Sequence, residues 1–157
     1  MPRRSTKENK TIYQLSRERA GLTRESAAER LTFLTPARIE KIESERSAAQ
    51  PEEVLAMAEA YGDPMLRNAY CAGECPIGRR YVPLAEEKSL SQITLEMVVT
   101  LNALSREKDR LMEITVDGRI APEEERDFHS IRENLEKLRA AVESLQLWLD
   151  GAERGSG

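Results

Sequence analysis

The chain has 157 residues, of which 33% are charged and 4% are aromatic. This length allows one ordinary domain, or a small domain with an appendage, and the composition is typical of a helical protein rather than a sheet-rich one. The sequence holds no run of about 18 apolar residues and no apolar stretch behind its basic start, which argues against a membrane span or a secretion signal, so we expect a cytoplasmic protein.

Charge is distributed unevenly along the chain, whose net charge is −4. Residues 1–80 carry 14 Lys and Arg against 12 Asp and Glu, whereas residues 81–157 carry 10 against 16. The slightly basic half suits contact with phosphate and the acidic half does not. So small a difference also fits ordinary solvated surface, so charge supports a function without deciding it.

The first helix is predicted from about residue 8 to residue 20, because Ile12 and Leu15 fall at helical spacing and Gly21 provides a stop. The basic arm at residues 1–7 could reach a phosphate or a minor groove, but a loose terminus is the simpler expectation.

Two short helices joined by a tight turn follow at residues 23–45. Thr23 provides an N-cap hydroxyl for one, and Thr35, with a proline directly after it, provides the cap of the next. Ile39 and Ile42 lie three residues apart and face inward. The residues left on the outer side near the start of this last helix are Ala37, Arg38, Glu40 and Lys41.

Three stretches of this region carry a family pattern: LSRERAGLT at residues 15–23, AAERL at residues 27–31 and IEKIE at residues 39–43. They resemble the Cro/lambda-repressor-like, or XRE, helix-turn-helix proteins. The resemblance covers about residues 8–72 and implies a five-helix DNA-binding domain whose third helix reads the major groove. The chain differs from the family in having Thr32 where glycine is usual, Arg24 where glutamine is frequent, and a turn that is one residue longer.

Three residues are predicted to meet the phosphate backbone. Arg24 and Thr35 lie at helix starts, where backbone amides also face outward, and Lys41 lies further along the third helix. The resemblance assigns a structural role to Glu43, because its family equivalent is structural.

Three residues are predicted to meet base edges. Arg38 could donate two hydrogen bonds to guanine, Glu40 could accept one from cytosine, and Ala37 could lie against a thymine methyl. For each of the six candidates, plain exposure to solvent is the alternative.

Helices are also predicted at residues 51–61 and from residue 65 to about residue 72. They complete an all-α, five-helix repressor-like domain over residues 1–72. Residues 73–88 contain two glycines and two prolines without periodicity, which favours a linker or an extended segment.

Residues 89–150 are predicted to form a long antiparallel hairpin of two helices, with a turn at residues 117–118 and the second helix opening at Pro122. Residues 151–157 are left as a flexible tail. The apolar positions that should form the seam between the two helices are Leu90, Ile93, Met97, Leu101, Leu104, Leu111, Phe128, Ile131, Leu135, Leu138, Val142, Leu145 and Leu149. Other apolar residues of the two helices lie outside this seam. We therefore expect the hairpin to pair with a second copy, or else to pack on the N-terminal domain.

Cys71 and Cys75 could serve a zinc site, a disulfide or redox sensing, but buried small side chains are the simpler interpretation. Two thiolates do not complete a zinc site, and the single histidine, His129, lies in the other helical region. The chain has no phosphate-binding glycine loop, no nucleophile elbow and no HExxH motif. We therefore expect no catalytic residues, no metal and no cofactor.

The sequence therefore predicts a DNA-binding transcriptional regulator, most simply a repressor, that binds double-stranded operator DNA as a homodimer through residues 89–150. A different class of function is an interaction module on the same fold, such as an antitoxin or a phage-encoded inhibitor that binds a protein target. Its acidic C-terminal half would suit a basic protein surface. A thiol-based redox sensor is a third possibility.

Overall fold

The computed structural model describes residues 9–155, and within that range it contains eight α-helices and no strand. The predicted all-α class is confirmed. The basic arm at residues 1–7, the start of the predicted first helix at residue 8, and residues 156–157 lie outside the described residues. Within the described range, residues 9–84 with 150–155 form one compact unit, and residues 85–149 form the other.

The first unit contains six of these helices. They are α1 (Ile12–Arg19), α2 (Arg24–Leu31), α3 (Pro36–Glu43), α4 (Pro51–Tyr61), α5 (Met65–Gly73) and the short α6 (Gly78–Tyr81). α2 and α3 pack against each other and α4 packs against α2, while α1 contacts α3, α4 and α5. α3 is thus held by its contacts with α1 and α2, and α4 packs against those same two helices.

Local sequence sets the ends of these helices. Thr23 Oγ1 accepts from Ser26 N at 3.1 Å, and Ser26 Oγ accepts from Thr23 N at 2.9 Å, which satisfies two amides that the start of α2 would otherwise leave unpaired. α1 begins at Ile12, four residues later than predicted, because Thr11 Oγ1 takes the cap position and accepts from Gln14 N. Gly62 ends α4 with a φ of 66°, a conformation that other residues rarely adopt.

One buried apolar core lies beneath these helices. Ile39 and Ile42, predicted to face inward from α3, are 0% and 2% exposed. The other members of the core are Tyr13, Leu22, Ala27, Leu31, Leu34, Ala49, Val54, Met57, Ala58, Tyr61 and Leu66. Because both isoleucines of α3 lie in this core, the orientation of α3 is fixed by burial of its inner side.

The segment predicted as a linker, residues 73–88, also holds regular structure. α5 ends at Gly73, and α6 occupies Gly78–Tyr81. A Cβ added to Gly78 would lie 2.1 Å from the carbonyl oxygen of Cys71, so only glycine permits this close approach of α6 to the end of α5. Asn68 Nδ2 donates to the carbonyl of Pro83 at 2.9 Å and ties the following extended stretch to α5.

The second unit is built on α7 (Leu90–Thr115) and on α8 (Glu125–Gly155), whose last six residues belong to the first unit. Arg110 Nε contacts Asp127 Oδ2 at 2.7 Å, whereas Glu107, earlier in α7, accepts from Asn134 Nδ2 at 3.0 Å, later in α8. The two helices therefore run antiparallel. No helix among the described residues is long and apolar enough to cross a membrane.

The ends of α8 differ from the prediction. The helix begins at Glu125 rather than Pro122, and it runs on to Gly155, so residues 151–155 of the predicted tail are helical. A single glycine at position 151 weakens a helix by about 1 kcal/mol without stopping it, and Ala152 and Glu153 favour continuation.

The predicted seam of the hairpin is partly wrong. Ile93 and Ile131 are buried, but Leu101, Leu135 and Val142 are each close to half exposed. On α8 the half-buried Asn134 and the buried Ala141 occupy the positions that, with Ile131, face α7. Ala141 is small, and the amide of Asn134 donates to the carboxylate of Glu107. An apolar repeat alone could not reveal that small and polar residues face the partner helix.

Candidate DNA-binding interface

The turn between α2 and α3 has an unusual backbone. Thr32 has a φ of 60° and a ψ of −32°, and the amide of Phe33 donates to the carbonyl of Leu31 at 2.7 Å. This is a γ-turn with positive φ, a strained conformation, and a β-branched residue is poorly suited to it. The turn allows Leu34 to enter the core and leaves Phe33 60% exposed.

α3 presents one side to the core and the other to solvent. Thr35 caps the helix by accepting from Arg38 N at 3.2 Å, and Pro36 occupies the first turn, as predicted. Thr35, Ala37 and Lys41 are exposed. Glu40 is partly exposed and lies 3.4 Å from Arg46. The N-terminal half of α3 therefore carries an accessible surface of mixed polarity.

A buried ion cluster joins the three helices around this surface. Arg17 of α1 donates to both carboxylate oxygens of Glu43 of α3, at 2.6 and 3.0 Å, and Arg24 of α2 donates to the same carboxylate at 2.8 Å. The side chains of Arg17 and Glu43 are only 8% and 1% exposed. Arg17 also donates to the carbonyl of Leu22 at 2.7 Å.

Burial lowers the pKa of Arg17, but the hydrogen bond and the charge of Glu43 outweigh it, so the pKa ends above its usual value. We refer to Arg17, Arg24 and Glu43 as the Glu43 cluster. Because its members come from three different helices, the cluster fixes the position of α3 relative to α1 and α2.

Arg38 makes a second cross-link, from α3 to the start of α4. Its Nε and Nη2 donate to the two carboxylate oxygens of Glu53, each at 2.7 Å. Its Nη1 donates to Ser47 Oγ at 2.6 Å, and Nη2 also donates to the carbonyl of Ala48 at 2.9 Å. Glu53 in turn accepts from the amide of Gln50 at 2.8 Å. The hydrogen bond from Arg38 holds the pKa of Glu53 below its usual range, against the opposing effect of burial.

The six predicted DNA contacts thus fall into two groups. Thr35, Ala37, Glu40 and Lys41 lie together on the outer side of α3 and its cap. Arg24 contacts Glu43 through Nε with about a third of its side chain exposed, and Arg38 is 25% exposed and engaged on Glu53. The base contact proposed for Arg38 stays a prediction, and making it would require these hydrogen bonds to be exchanged.

Sequence reasoning missed three residues of this region. It gave no role to Arg17, which lies within the family pattern, or to Phe33. It also did not find the partner of Glu53, because a residue 15 positions away leaves no local signal.

The thiols lie on other elements of the first unit, and the histidine belongs to the second unit. Cys71 and Cys75 are half-buried and are not joined in a disulfide, and Cys75 Sγ accepts from the amide of Gly78 at 3.4 Å. In the second unit, His129 is exposed and lies 3.4 Å from Glu133. No group of three His, Cys, Asp or Glu side chains in the described range is placed to hold a metal ion.

Comparison with known proteins agrees with this geometry. Residues 14–64 match the family model of a helix-turn-helix domain, which spans α1 to α4, the Glu43 cluster and the Arg38–Glu53 pair. Comparisons with curated proteins and with solved structures give no significant match. Over residues 14–64 the chain is therefore similar to a helix-turn-helix domain, and such a domain suggests a DNA-binding regulator.

Proposed function

We propose that the protein is a sequence-specific DNA-binding transcriptional regulator that represses transcription by occupying operator DNA as a homodimer. The observation that carries this proposal is the exposed N-terminal half of α3. Two isoleucines on the inner side of α3 are buried in the core, while Thr35, Ala37 and Lys41 face outward. A helix held in this way can lie in the major groove with its first residues nearest the base edges.

The exposed residues supply complementary kinds of contact. Ala37 offers a methyl group to thymine, and the carboxylate of Glu40 accepts from the amino group of cytosine. Lys41 and Arg24 provide positive charge for the phosphates, and Thr35 brings a helix start close to them. Arg38, given its four hydrogen bonds within the domain, acts mainly by positioning the start of α3.

Two copies would place two such helices on successive major grooves. Readers of this kind bind half-sites about one helical turn, or about 34 Å, apart. Pairing through residues 89–150 uses a different unit from the one that carries α3. A regulator bound across a promoter in this way excludes the transcription machinery by occupancy.

Selection from a random pool of double-stranded DNA tests the proposal directly. We expect an inverted repeat with half-sites about one helical turn apart. Lys41→Ala should then weaken binding to every sequence alike and lower the slope of log affinity against log salt by about 1. Arg126→Ala, at an exposed arginine of α8, is the matched control and should leave affinity unchanged. A folded protein that enriches no sequence would contradict the proposal.

The second candidate is a protein-binding module such as an antitoxin or a phage-encoded inhibitor. It is favoured by one observation: residues 81–157 carry 10 basic and 16 acidic residues, which suits a basic protein partner better than DNA. Binding of a protein target that survives Lys41→Ala, together with failure of the DNA selection, would support this candidate instead.

A further inference from the structure

The hairpin of the second unit leaves a stripe of apolar side chains exposed. On α8 the half-buried Phe128 is followed by exposed residues at intervals of seven, and α7 carries a corresponding set. The exposed members are Val98, Leu101, Met112, Leu135, Val142 and Leu149, each between about two-fifths and three-fifths exposed. Isolated exposed apolar residues are ordinary, but a repeat along two long helices is the pattern of a surface made to be covered.

These residues lie on one side of the hairpin. Leu101 directly follows the buried Thr100, and Val142 directly follows the buried Ala141. One residue corresponds to a rotation of about 100° around a helix. Because α7 and α8 run in opposite directions and face each other, the same rotation away from the contact line leads to the same side of the pair.

The residues also lie at matching heights. The contacts of Glu107 with Ser130 and Asn134, and of Arg110 with Asp127, set the register between the two helices. Counting from these contacts, Val98 lies level with Val142, and Met112 lies level with Phe128. Ser105 lies level with Leu135, seven residues from both Val98 and Met112. The stripe is therefore a continuous face, interrupted on α7 by Ser105.

We propose that this face, composed of Val98, Leu101, Met112, Leu135, Val142 and Leu149, packs on the same face of a second copy to form a four-helix bundle. The inference deepens the homodimer of the proposed function by naming its surface. A second copy supplies the same apolar residues in the same spacing, which is what a self-complementary interface between identical chains requires.

The length of the face favours a second copy over other occupants. From Phe128 to Leu149 it extends about 32 Å along α8, at 1.5 Å per residue. A partner that covers it needs helices of similar length. Among the described helices, α7 and α8 have 26 and 31 residues, whereas no other exceeds 11. The six defining side chains are also uncharged, which offers nothing to a basic protein but suits an identical apolar face.

Matched aspartate substitutions in the full-length chain test this assignment. Leu101→Asp and Val142→Asp each place a charge in the centre of the proposed interface, where burial without a partner is strongly unfavourable. Val99→Asp is the control, because the exposed Val99 directly precedes Thr100 and therefore lies on the opposite side of the hairpin. The measurement is sedimentation velocity across a concentration series, with circular dichroism to check helical content.

We expect the unaltered protein and Val99→Asp to be dimers and the two other variants to dissociate, with a dissociation constant raised at least about 100-fold. A monomeric unaltered protein, or a Leu101→Asp protein that remains a dimer, would overturn the assignment. So would equal weakening by Val99→Asp.

Ser105→Leu tests the same interface by strengthening the dimer instead of weakening it. It fills the gap between Val98 and Met112 and should lower the dimer dissociation constant by at least about tenfold, because each copy buries one more leucine side chain. An unchanged or raised constant would count against this face. DNA selection on the same proteins keeps the two proposals separable, because a protein that pairs through another surface can still bind an inverted repeat.

Discussion

The two units of the molecule are stabilised in opposite ways. In the first unit a single core holds α1 to α5, and the Glu43 cluster is buried at its edge. In the second, α7 and α8 share a narrow seam, and the pair Arg110–Asp127 is 39% and 47% exposed. Exposed ion pairs contribute little, whereas a buried, bidentate pair strongly restricts geometry. The first unit can therefore fix the position of α3 by itself, while the hairpin leaves apolar side chains exposed on its own surface.

The chain carries separate reporters for the two units. Its four tyrosines, at positions 13, 61, 70 and 81, all lie in the first unit, and its single tryptophan, Trp148, lies in the second. Tyrosine absorbance and tryptophan fluorescence can thus follow the two regions in one unfolding experiment. If the two units unfold independently, substitutions in the Glu43 cluster or in the Arg38–Glu53 pair will shift the tyrosine-detected transition alone.

The largest effect is expected from Glu43→Ala. The substitution leaves Arg17 buried without its carboxylate, and removal of one partner of a buried pair typically costs about 3–5 kcal/mol. Urea unfolding followed by tyrosine absorbance should show this loss, whereas the Trp148 transition should stay in place. Glu40→Ala, at the exposed pair with Arg46, is the control and should change stability by less than about 0.5 kcal/mol.

A parallel shift of both transitions would contradict the independence of the two units, because they would then unfold as one. A loss below about 1 kcal/mol would show instead that water can replace the carboxylate, and that the Glu43 cluster does not hold α3 in place.

Arg38→Ala should produce the next largest effect. It removes four hydrogen bonds and leaves the carboxylate of Glu53 accepting only from the amide of Gln50 among the contacts described above, a loss that we expect to cost about 1.5–3 kcal/mol. The folded-state pKa of Glu53 is depressed by Arg38, so its stabilising contribution is present above the ordinary glutamate pKa of about 4.3 and is lost as pH falls through the lower folded value. The variant should therefore lose less stability than the unaltered protein on acidification below about pH 4.

DNA binding by the same variant decides the role of Arg38. A positioning role predicts weaker binding to all sequences, whereas direct reading of guanine predicts relaxed preference at one base pair. If stability and its acid dependence are unchanged while one base preference disappears, Arg38 is a reader and the cross-link to Glu53 is incidental.

The sequence was sufficient to predict the N-terminal fold because its signals are local. Thr23, Thr35 and Gly62 mark helix ends through their own hydroxyls or backbone freedom, and Ile39 and Ile42 fix the inner side of α3 by spacing. The cross-links were not predictable in this way. Arg17 and Glu43 are 26 residues apart and Arg38 and Glu53 are 15 apart, and only the folded arrangement brings them together.

The hairpin shows a second limit of prediction from sequence. A repeat of apolar residues indicates that a helix has an apolar stripe, but not which edge of the stripe meets the other helix of the same chain. Asn134 and Ala141 take inward positions, and Leu135 and Val142, directly after them, remain exposed. The predicted seam therefore mixed residues of the internal contact with residues of the outer face.

The smallest expected effect concerns the turn before α3, where the backbone of the first unit is strained. Thr32 holds a φ of 60° with a branched side chain, and such strain typically costs about 1 kcal/mol or more. Thr32→Gly removes the strain but adds freedom to the unfolded chain, so the net gain should be about 0.5–1 kcal/mol in the tyrosine-detected transition. Thr23→Gly is the matched control: there the backbone is extended, and the change removes a cap and should destabilise. A destabilised Thr32→Gly protein would mean that contacts of the threonine side chain stabilise the turn by more than its backbone strain costs. Thr32 would then favour the conformation of the longer turn, instead of being forced into it by the rest of the fold.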